Sequence, residues 1–174
     1  MRQEHTEWNG SRPSVLVMHE DEVIRDSYSS ALRQHGCSVE SVRDGSAALS
    51  LLKDNEFDVL VTDLHESRGE GIQFLQETLR VRPWLGVVVL SSGFDRQVLP
   101  KIYELGCTCV LERPVALPTL CQSVIHEARA RKELESTHYG FIADRLPEKP
   151  MVIGGEMETD GDTIRFNLLS VAGL

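Results

Sequence analysis

The sequence predicts a doubly wound α/β domain over residues 14–132, a parallel sheet with helices on both faces. Three observations predict it. Short runs rich in Val and Leu recur along the chain, each is followed by a stretch whose apolar residues repeat at helical spacing, and the connections between them are short. Strands buried on both faces read as near-continuous apolar runs with polar residues only at their ends.

Residues 1–13 form a polar leader ending at Pro13, expected to be disordered. Val15-Leu16-Val17-Met18 is the first strand and breaks into His19-Glu20-Asp21-Glu22. From Glu22 the period changes, and Ile24, Tyr28, Ala31, Leu32 and His35 share one helical face, with Gly36 as the stop. Ser38 to Val42 is a second short strand. Asp44-Gly45-Ser46 opens a helix, Ala47 to Lys53, with Ala48, Leu51 and Leu52 on its apolar face. Residues 58–62 are the central strand, ending abruptly at Asp63, and the loop Glu66-Ser67-Arg68-Gly69-Glu70-Gly71 follows. A helix from Gly71 to about Arg82 carries Ile72, Phe74, Leu75 and Leu79 and is ended by Pro83. Leu85 to Leu90 is the fourth strand, running into Ser91-Ser92-Gly93. Asp95 is a candidate cap for a fourth helix reaching Leu105, with Pro100 near its first turns and Gly106 after it. Thr108 to Leu111 is a fifth strand, ending at Glu112-Arg113-Pro114. The fifth helix starts near Pro118, a favourable first-turn proline, with a stripe of Leu117, Leu120, Cys121, Val124, Ile125 and Ala128. Five β-then-α units give a flavodoxin-like, five-stranded parallel (βα)5 arrangement.

Bulk properties narrow the function classes. The chain has 174 residues, room for one ordinary domain plus an appendage, and a net charge of −9 that argues against a nucleic-acid footprint. The basic run Arg129-Ala130-Arg131-Lys132 gives way at once to Glu133 and Glu135 and reads as a solvated helix face. Cys37, Cys107, Cys109 and Cys121 form no CxxC pair, and Cys109 reads as a small core hydrophobe. The polar N-terminus has no apolar signal-like segment and no run reaches membrane-spanning length, so a cytoplasmic, reducing location is expected.

In a parallel sheet, the strand ends bring His19-Glu20-Asp21, Asp63, Ser91-Ser92 and Glu112-Arg113-Pro114 to one edge, where open α/β sheets place their chemistry. A carboxylate cluster with a hydroxyl and a guanidinium, and no Gly-rich phosphate loop, suits phosphoryl transfer to a carboxylate. Asp63 would attack, a divalent cation held by neighbouring carboxylates would offset charge, and Ser91 and Arg113 would hold the phosphoryl oxygens. An Asp63 that merely caps the next helix would look similar in isolation.

With these residues in place, the chain resembles the CheY-like receiver domain of two-component response regulators. The resemblance is carried by VLVMHEDEVIR at 15–25, DVLVTD at 58–63, VVLSS at 88–92 and VLERP at 110–114, in that order. It implies that Asp63 accepts a phosphoryl group from a histidine kinase or a histidine phosphotransfer protein, that Ser91 and Arg113 contact it, and that Mg²⁺ is required. It also implies metal contacts from Glu20, Asp63 and the backbone carbonyl of His65, and an Arg113–Pro114 bond in the cis form.

Several positions depart from the family pattern. The usual Asp-Asp pair is His19-Glu20, so one hard oxygen ligand is lost; Mg²⁺ affinity is expected to fall, and Mn²⁺, with His19 as a ligand, becomes an option. The family lysine is Arg113, which keeps charge while changing geometry. Val110 stands where Tyr or Phe is common, and Glu66-Ser67 replaces Met-Pro. Asp21 reads as the cap of the first helix. Alternatives remain open at this point: a pseudo-receiver kept as a docking module, a transition-metal site from His19, Asp63 and His65, and an aspartate-nucleophile phosphatase with His65 as general acid.

Residues 133–174 read as a continuation of the last helix, a linker over 138–150, and a β-hairpin. Its strands are expected at Met151-Val152-Ile153 and Thr163–Leu169, with Thr159-Asp160-Gly161-Asp162 as the turn. A lone hairpin is marginal in water, so it should pack on the domain, a twin subunit or a further segment. A homodimer or a partner contact through the last helix and tail is expected, with a downstream protein target and neither DNA nor membrane binding.

Overall fold

The five expected strands form β1 (Ser14–Met18), β2 (Ser38–Val42), β3 (Val59–Asp63), β4 (Gly86–Ser91) and β5 (Cys109–Glu112). Between and after them lie α1 (Glu22–Gln34), α2 (Gly45–Asp54), α3 (Glu70–Val81), α4 (Leu99–Glu104) and α5 (Leu117–His138). This computed structural model describes residues 12–64, 70–91, 98–107, 109–138, 155–160 and 163–168. The five strands are parallel in the order β2-β1-β3-β4-β5, the doubly wound arrangement that the alternation predicts.

Alternation along the strands sorts the core into two layers. Val15, Val17, Val59, Val61, Val88, Leu90 and Leu111 face α1 and α5, where Leu32, Leu120 and Val124 cover them. Leu16, Leu60, Val87, Val89 and Val110 face the other way, onto Ala48 and Leu52 of α2, Leu75 of α3 and Ile102 of α4. Both faces are therefore dry, which is why these strands carry almost no polar residues before their ends.

Helix starts follow local chemistry. The Asp21 carboxylate accepts the Ile24 N–H at 3.1 Å and Asp44 accepts the Ala47 N–H at 2.9 Å, so both helices begin on side-chain caps. Gly36 and Gly106 both take φ +87°, the left-handed conformation that ends a helix without a Cβ clash. The Arg82 guanidinium donates to the Leu52 and Asn55 carbonyls at 2.7 and 3.1 Å, closing the carboxyl end of α2, a role its sequence position did not signal.

Three sequence expectations need correction. Strands β3, β4 and β5 run one residue further than read, because Asp63, Ser91 and Glu112 still pair in the ladders (Asp63 with Leu90, Ser91 with Glu112). Helix α4 starts at Leu99 rather than after Asp95: Pro100 fits only in a first turn, and the preceding Val98 supplies no side-chain cap. Asp95 lies outside the described residues. Arg131 and Lys132 are not simply a solvated face, since Arg131 donates to the Gly106 carbonyl at 3.2 Å and Lys132 Nζ stands 3.9 Å from Asp58.

The tail forms β6 (Gly155–Asp160) and β7 (Thr163–Leu168), an antiparallel pair, and β7 continues the sheet antiparallel to β5. The five parallel strands thus gain two more, giving seven in the order β2-β1-β3-β4-β5-β7-β6. The expectation of a strand at 151–153 falls outside the described residues. Thr159 and Asp160, read as turn, are strand residues paired with Ile164 and Thr163, leaving only Gly161 and Asp162 between the strands. Cys37, Cys107, Cys109 and Cys121 are all buried thiols outside any disulfide, in keeping with the core reading of Cys109. Burial pushes the Cys107 thiol up to about 12 and those of Cys37 and Cys121 up to about 11, which keeps them protonated and poor as ligands or nucleophiles. Among the described residues no helix is long and apolar enough to cross a membrane.

Candidate functional site

Each strand of the sheet's middle delivers one polar side chain to its carboxyl edge. Asp63 closes β3 with its carboxylate only 5% exposed. Its neighbour Leu64 donates its backbone N–H to the Leu90 carbonyl at 3.1 Å, so β3 and β4 stay paired past Asp63 and hold it against the start of the loop. Ser91, also buried, is the last residue of β4.

Arg113 follows β5. Its backbone N–H donates to the Ser91 carbonyl at 2.8 Å, and the Arg113–Pro114 peptide is cis, as the resemblance implies. From this anchored position Nη1 reaches Asp63 Oδ2 at 2.7 Å, a charge-assisted hydrogen bond. Only one nitrogen of the fork is used there, and Nε has no hydrogen-bond partner among the described residues. The guanidinium therefore keeps donors for an anion arriving beside Asp63.

His19 approaches the same carboxylate from β1. Its ring is 3% exposed and its Nε2 lies 3.2 Å from Asp63 Oδ2, bent away from an in-line hydrogen bond. Four contacts fix it. The His19 N–H donates to the Val42 carbonyl at 3.2 Å, its carbonyl accepts Arg25 Nη1 at 2.8 Å, and its Nδ1 accepts the Asp21 N–H at 3.0 Å. The edge of Tyr28 meets the imidazole at 6.2 Å between centroids and 87° between planes. Burial raises the Tyr28 hydroxyl above its ordinary value; Arg113 opposes this and Asp63 adds to it, both being close enough to act. Arg25 and Tyr28 were not read as site residues. Their signal was weak: Tyr28 reads as core, and Arg25 acts through a main-chain carbonyl that no motif records.

Glu20 is exposed and lines, with His19, Asp44, Asp63, Glu70 and Phe74, a cleft of about 700 Å³ beside the strand ends. Asp21, as expected, serves as a cap. The structure thus brings His19, Asp63 and Arg113 together, with Ser91 and Glu20 at the margins. His65 and Ser92 lie outside the described residues, and with His65 so do the carbonyl metal contact, the His19–Asp63–His65 metal site and the phosphatase acid. Among the described residues no three His, Cys, Asp or Glu side chains form a metal-holding group.

Known proteins share this framework. The response regulator receiver domain family model matches residues 15–125. The response regulator protein PmrA of Pseudomonas aeruginosa is 35% identical over 156 residues, covering 88% of this chain and 64% of its own length. The chain spans between 13% and 64% of the length of the curated relatives it matches. Among solved structures, a CheY-like receiver domain protein from Methanospirillum hungatei superposes with a TM-score of 0.67 at 18% identity, covering 71% of this chain and 99% of that one. A response regulator from Burkholderia pseudomallei, solved with a phosphorylated aspartic acid, a calcium ion and citrate, has a TM-score of 0.60 at 18% identity and covers 72% of this chain and 74% of its own.

Proposed function

The chain belongs to the response regulator receiver family, and we propose that its working group is Asp63, acting as the phosphoacceptor in a two-component phosphorelay. Receiver domains interact in general with histidine kinases and phosphotransfer proteins and act as signalling modules rather than as metabolic enzymes. The observation that carries the reading is the 2.7 Å contact of Arg113 with a buried Asp63 at the carboxyl edge of the sheet, with Ser91 on the adjoining strand. In the transfer, an Asp63 oxygen would bond to phosphorus as the P–N bond of a phosphohistidine on the donor protein breaks. The imidazole, protonated on its other nitrogen before transfer, leaves with the bonding pair as a neutral ring. Arg113 would then donate to the phosphoryl oxygens, with the Ser91 hydroxyl as a second donor. The phosphorylated aspartic acid of the Burkholderia pseudomallei response regulator supports the assignment by analogy of fold.

Receiver domains generally bind Mg²⁺ at this acidic pocket. Here the residues fit that ion poorly: Mg²⁺ asks for oxygens in near-octahedral array, and the end of β1 supplies one carboxylate, Glu20, and an imidazole beside an Asp63 already engaged by Arg113. Mn²⁺ would accept a nitrogen, but His19 has its Nδ1 lone pair committed to the Asp21 N–H.

The reading is tested by intact-mass measurement after acetyl phosphate treatment with Mg²⁺, with Mn²⁺ and with a chelator, for the wild type and Asp63→Asn. One phosphoryl adduct that disappears in Asp63→Asn is expected. No adduct under any condition, or an adduct that survives Asp63→Asn, would overturn it. The first of those results would favour the second reading, a phosphorylation-independent docking module.

The same reading places the protein in the cytoplasm, signalling through contact with a downstream protein, with no nucleic-acid or membrane partner. It assigns residues 133–174 to a homodimer or partner contact through α5 and the hairpin. A solution mass by light scattering that drops from dimer to monomer on deleting residues 137–174 is expected; an unchanged mass would remove the dimer from the reading.

A further inference from the structure

We propose that the His19 imidazole takes the place of a divalent cation at Asp63: a neutral ring locked in the Nε2–H tautomer, so that the site is built to work without bound metal. The inference concerns the same carboxylate as the function proposed above and deepens it by removing its metal.

The ring's tautomer follows from one donor whose identity is not in doubt. A backbone N–H can only donate, and the Asp21 N–H points at His19 Nδ1 from 3.0 Å. Nδ1 must therefore present its lone pair, and in a neutral imidazole the proton then sits on Nε2, the nitrogen 3.2 Å from Asp63 Oδ2. Neither nitrogen keeps a lone pair for a cation in the pocket. One is capped by the Asp21 N–H, and the other carries its proton toward the carboxylate.

The ring cannot easily turn to change this. Its main chain is tied to the Val42 carbonyl and to the Arg25 guanidinium, Tyr28 stands edge-on against its face, and the ring is 3% exposed. Rotating it by half a turn would place a C–H against the Asp21 N–H and break that hydrogen bond. The Asp21 N–H is itself fixed, because its own carboxylate caps α1 on the Ile24 N–H. The start of helix α1 thus dictates which way the imidazole proton faces.

The charge arithmetic agrees with the geometry. A divalent cation bound through Asp63 Oδ2 would compete with Arg113 Nη1, 2.7 Å from that oxygen, and with the Nε2–H beside it. The Arg113 guanidinium already offsets the carboxylate's charge, which is the electrostatic task a bound cation performs, and the Nε2–H stands close to the same oxygen without an in-line hydrogen bond.

The test reads the ring and the metal directly on the full chain, apart from phosphorylation. Long-range proton–nitrogen NMR of the wild type is expected to show His19 with a protonated Nε2 and an unprotonated Nδ1, and titration with Mg²⁺ alone is expected to leave the signals around His19 and Asp63 in place. His19→Asp should raise Mg²⁺ affinity about tenfold or more by calorimetry, the scale on which a change in or next to the ligand shell acts. His19→Gln, which keeps an N–H donor without adding a carboxylate, should stay as indifferent to Mg²⁺ as the wild type. A protonated Nδ1, or saturable Mg²⁺ binding at Asp63 in the wild type, overturns the inference. If His19→Asp does not fold, the wild-type tautomer and Mg²⁺ titration still decide it. A protein that takes up no phosphoryl group, yet shows the Nε2–H tautomer and no Mg²⁺ response, keeps this inference and loses the proposed function.

Discussion

The two flanks of the sheet's carboxyl edge reach one oxygen of Asp63 by different means. On the β5 flank, Arg113 is set by main-chain bonding to Ser91 and sends a permanent cation 2.7 Å from Oδ2. On the β1 flank, where the family usually places a pair of aspartates for a metal, a buried imidazole arrives at 3.2 Å with its other nitrogen tied to the start of α1. The β5 flank keeps a basic group on the carboxylate and the β1 flank exchanges charge-attracting oxygens for a neutral donor. The lesson is that a shared backbone fixes where side chains converge and leaves their chemistry free to change one flank at a time.

The largest expected effect comes from breaking the β5 flank. Arg113→Ala removes the guanidinium that donates to Asp63 Oδ2 and should slow formation of the acetyl phosphate adduct by about 10²–10³-fold, the range for deleting a preorganised donor at a developing anion. Arg113→Lys keeps charge and loses the planar fork, so its rate should fall between those of Arg113→Ala and the wild type. His19→Ala should cost less than Arg113→Ala in the same time course, because the imidazole contact is longer and bent away from an in-line hydrogen bond. If His19→Ala proved the slower of the two, the ranking of the flanks would be reversed.

Much of this was legible in the residues. The five strands, their order along the chain and the caps at Asp21 and Asp44 follow from apolar runs, a change of period and N-cap chemistry, all local signals. Asp63, Ser91 and Arg113 converge because a parallel sheet brings strand ends together, which needs only the fold class. What stayed hidden was long-range or main-chain. The Asp21 N–H on His19 Nδ1 depends on how the turn into α1 folds, and residue types do not encode it. Arg25 on the His19 carbonyl is a side-chain reach with no spacing rule. The early end of β6 was misread because Thr159-Asp160-Gly161-Asp162 carries strong turn chemistry, and pairing with β7 draws Thr159 and Asp160 into the strand. The start of α4 was misplaced for the opposite reason: Asp95 offered a good cap, and Pro100 settled the matter by fitting only in the first turn.

The smallest effect sharpens the comparison most, because it separates helix stability from the state of the site. Asp21→Ala and Asp44→Ala each delete an N-cap whose carboxylate accepts one backbone N–H, from Ile24 at 3.1 Å and from Ala47 at 2.9 Å. Each should lower stability by about 1 kcal/mol in urea unfolding. The two helices differ in what lies behind the cap. Asp21 also donates its own N–H to His19, so loosening the turn at Asp21 should disturb the imidazole, seen as movement or broadening of the His19 ring nitrogen signals. Asp44 makes no contact of that kind among the described residues, and its loss should leave those signals where they are. Equal stability losses with a His19 response in Asp21→Ala alone would tie the β1 flank to the start of α1. A response in both variants would mean that the ring reports general loosening of the domain, and the asymmetry between the flanks would have to rest on Arg113 alone.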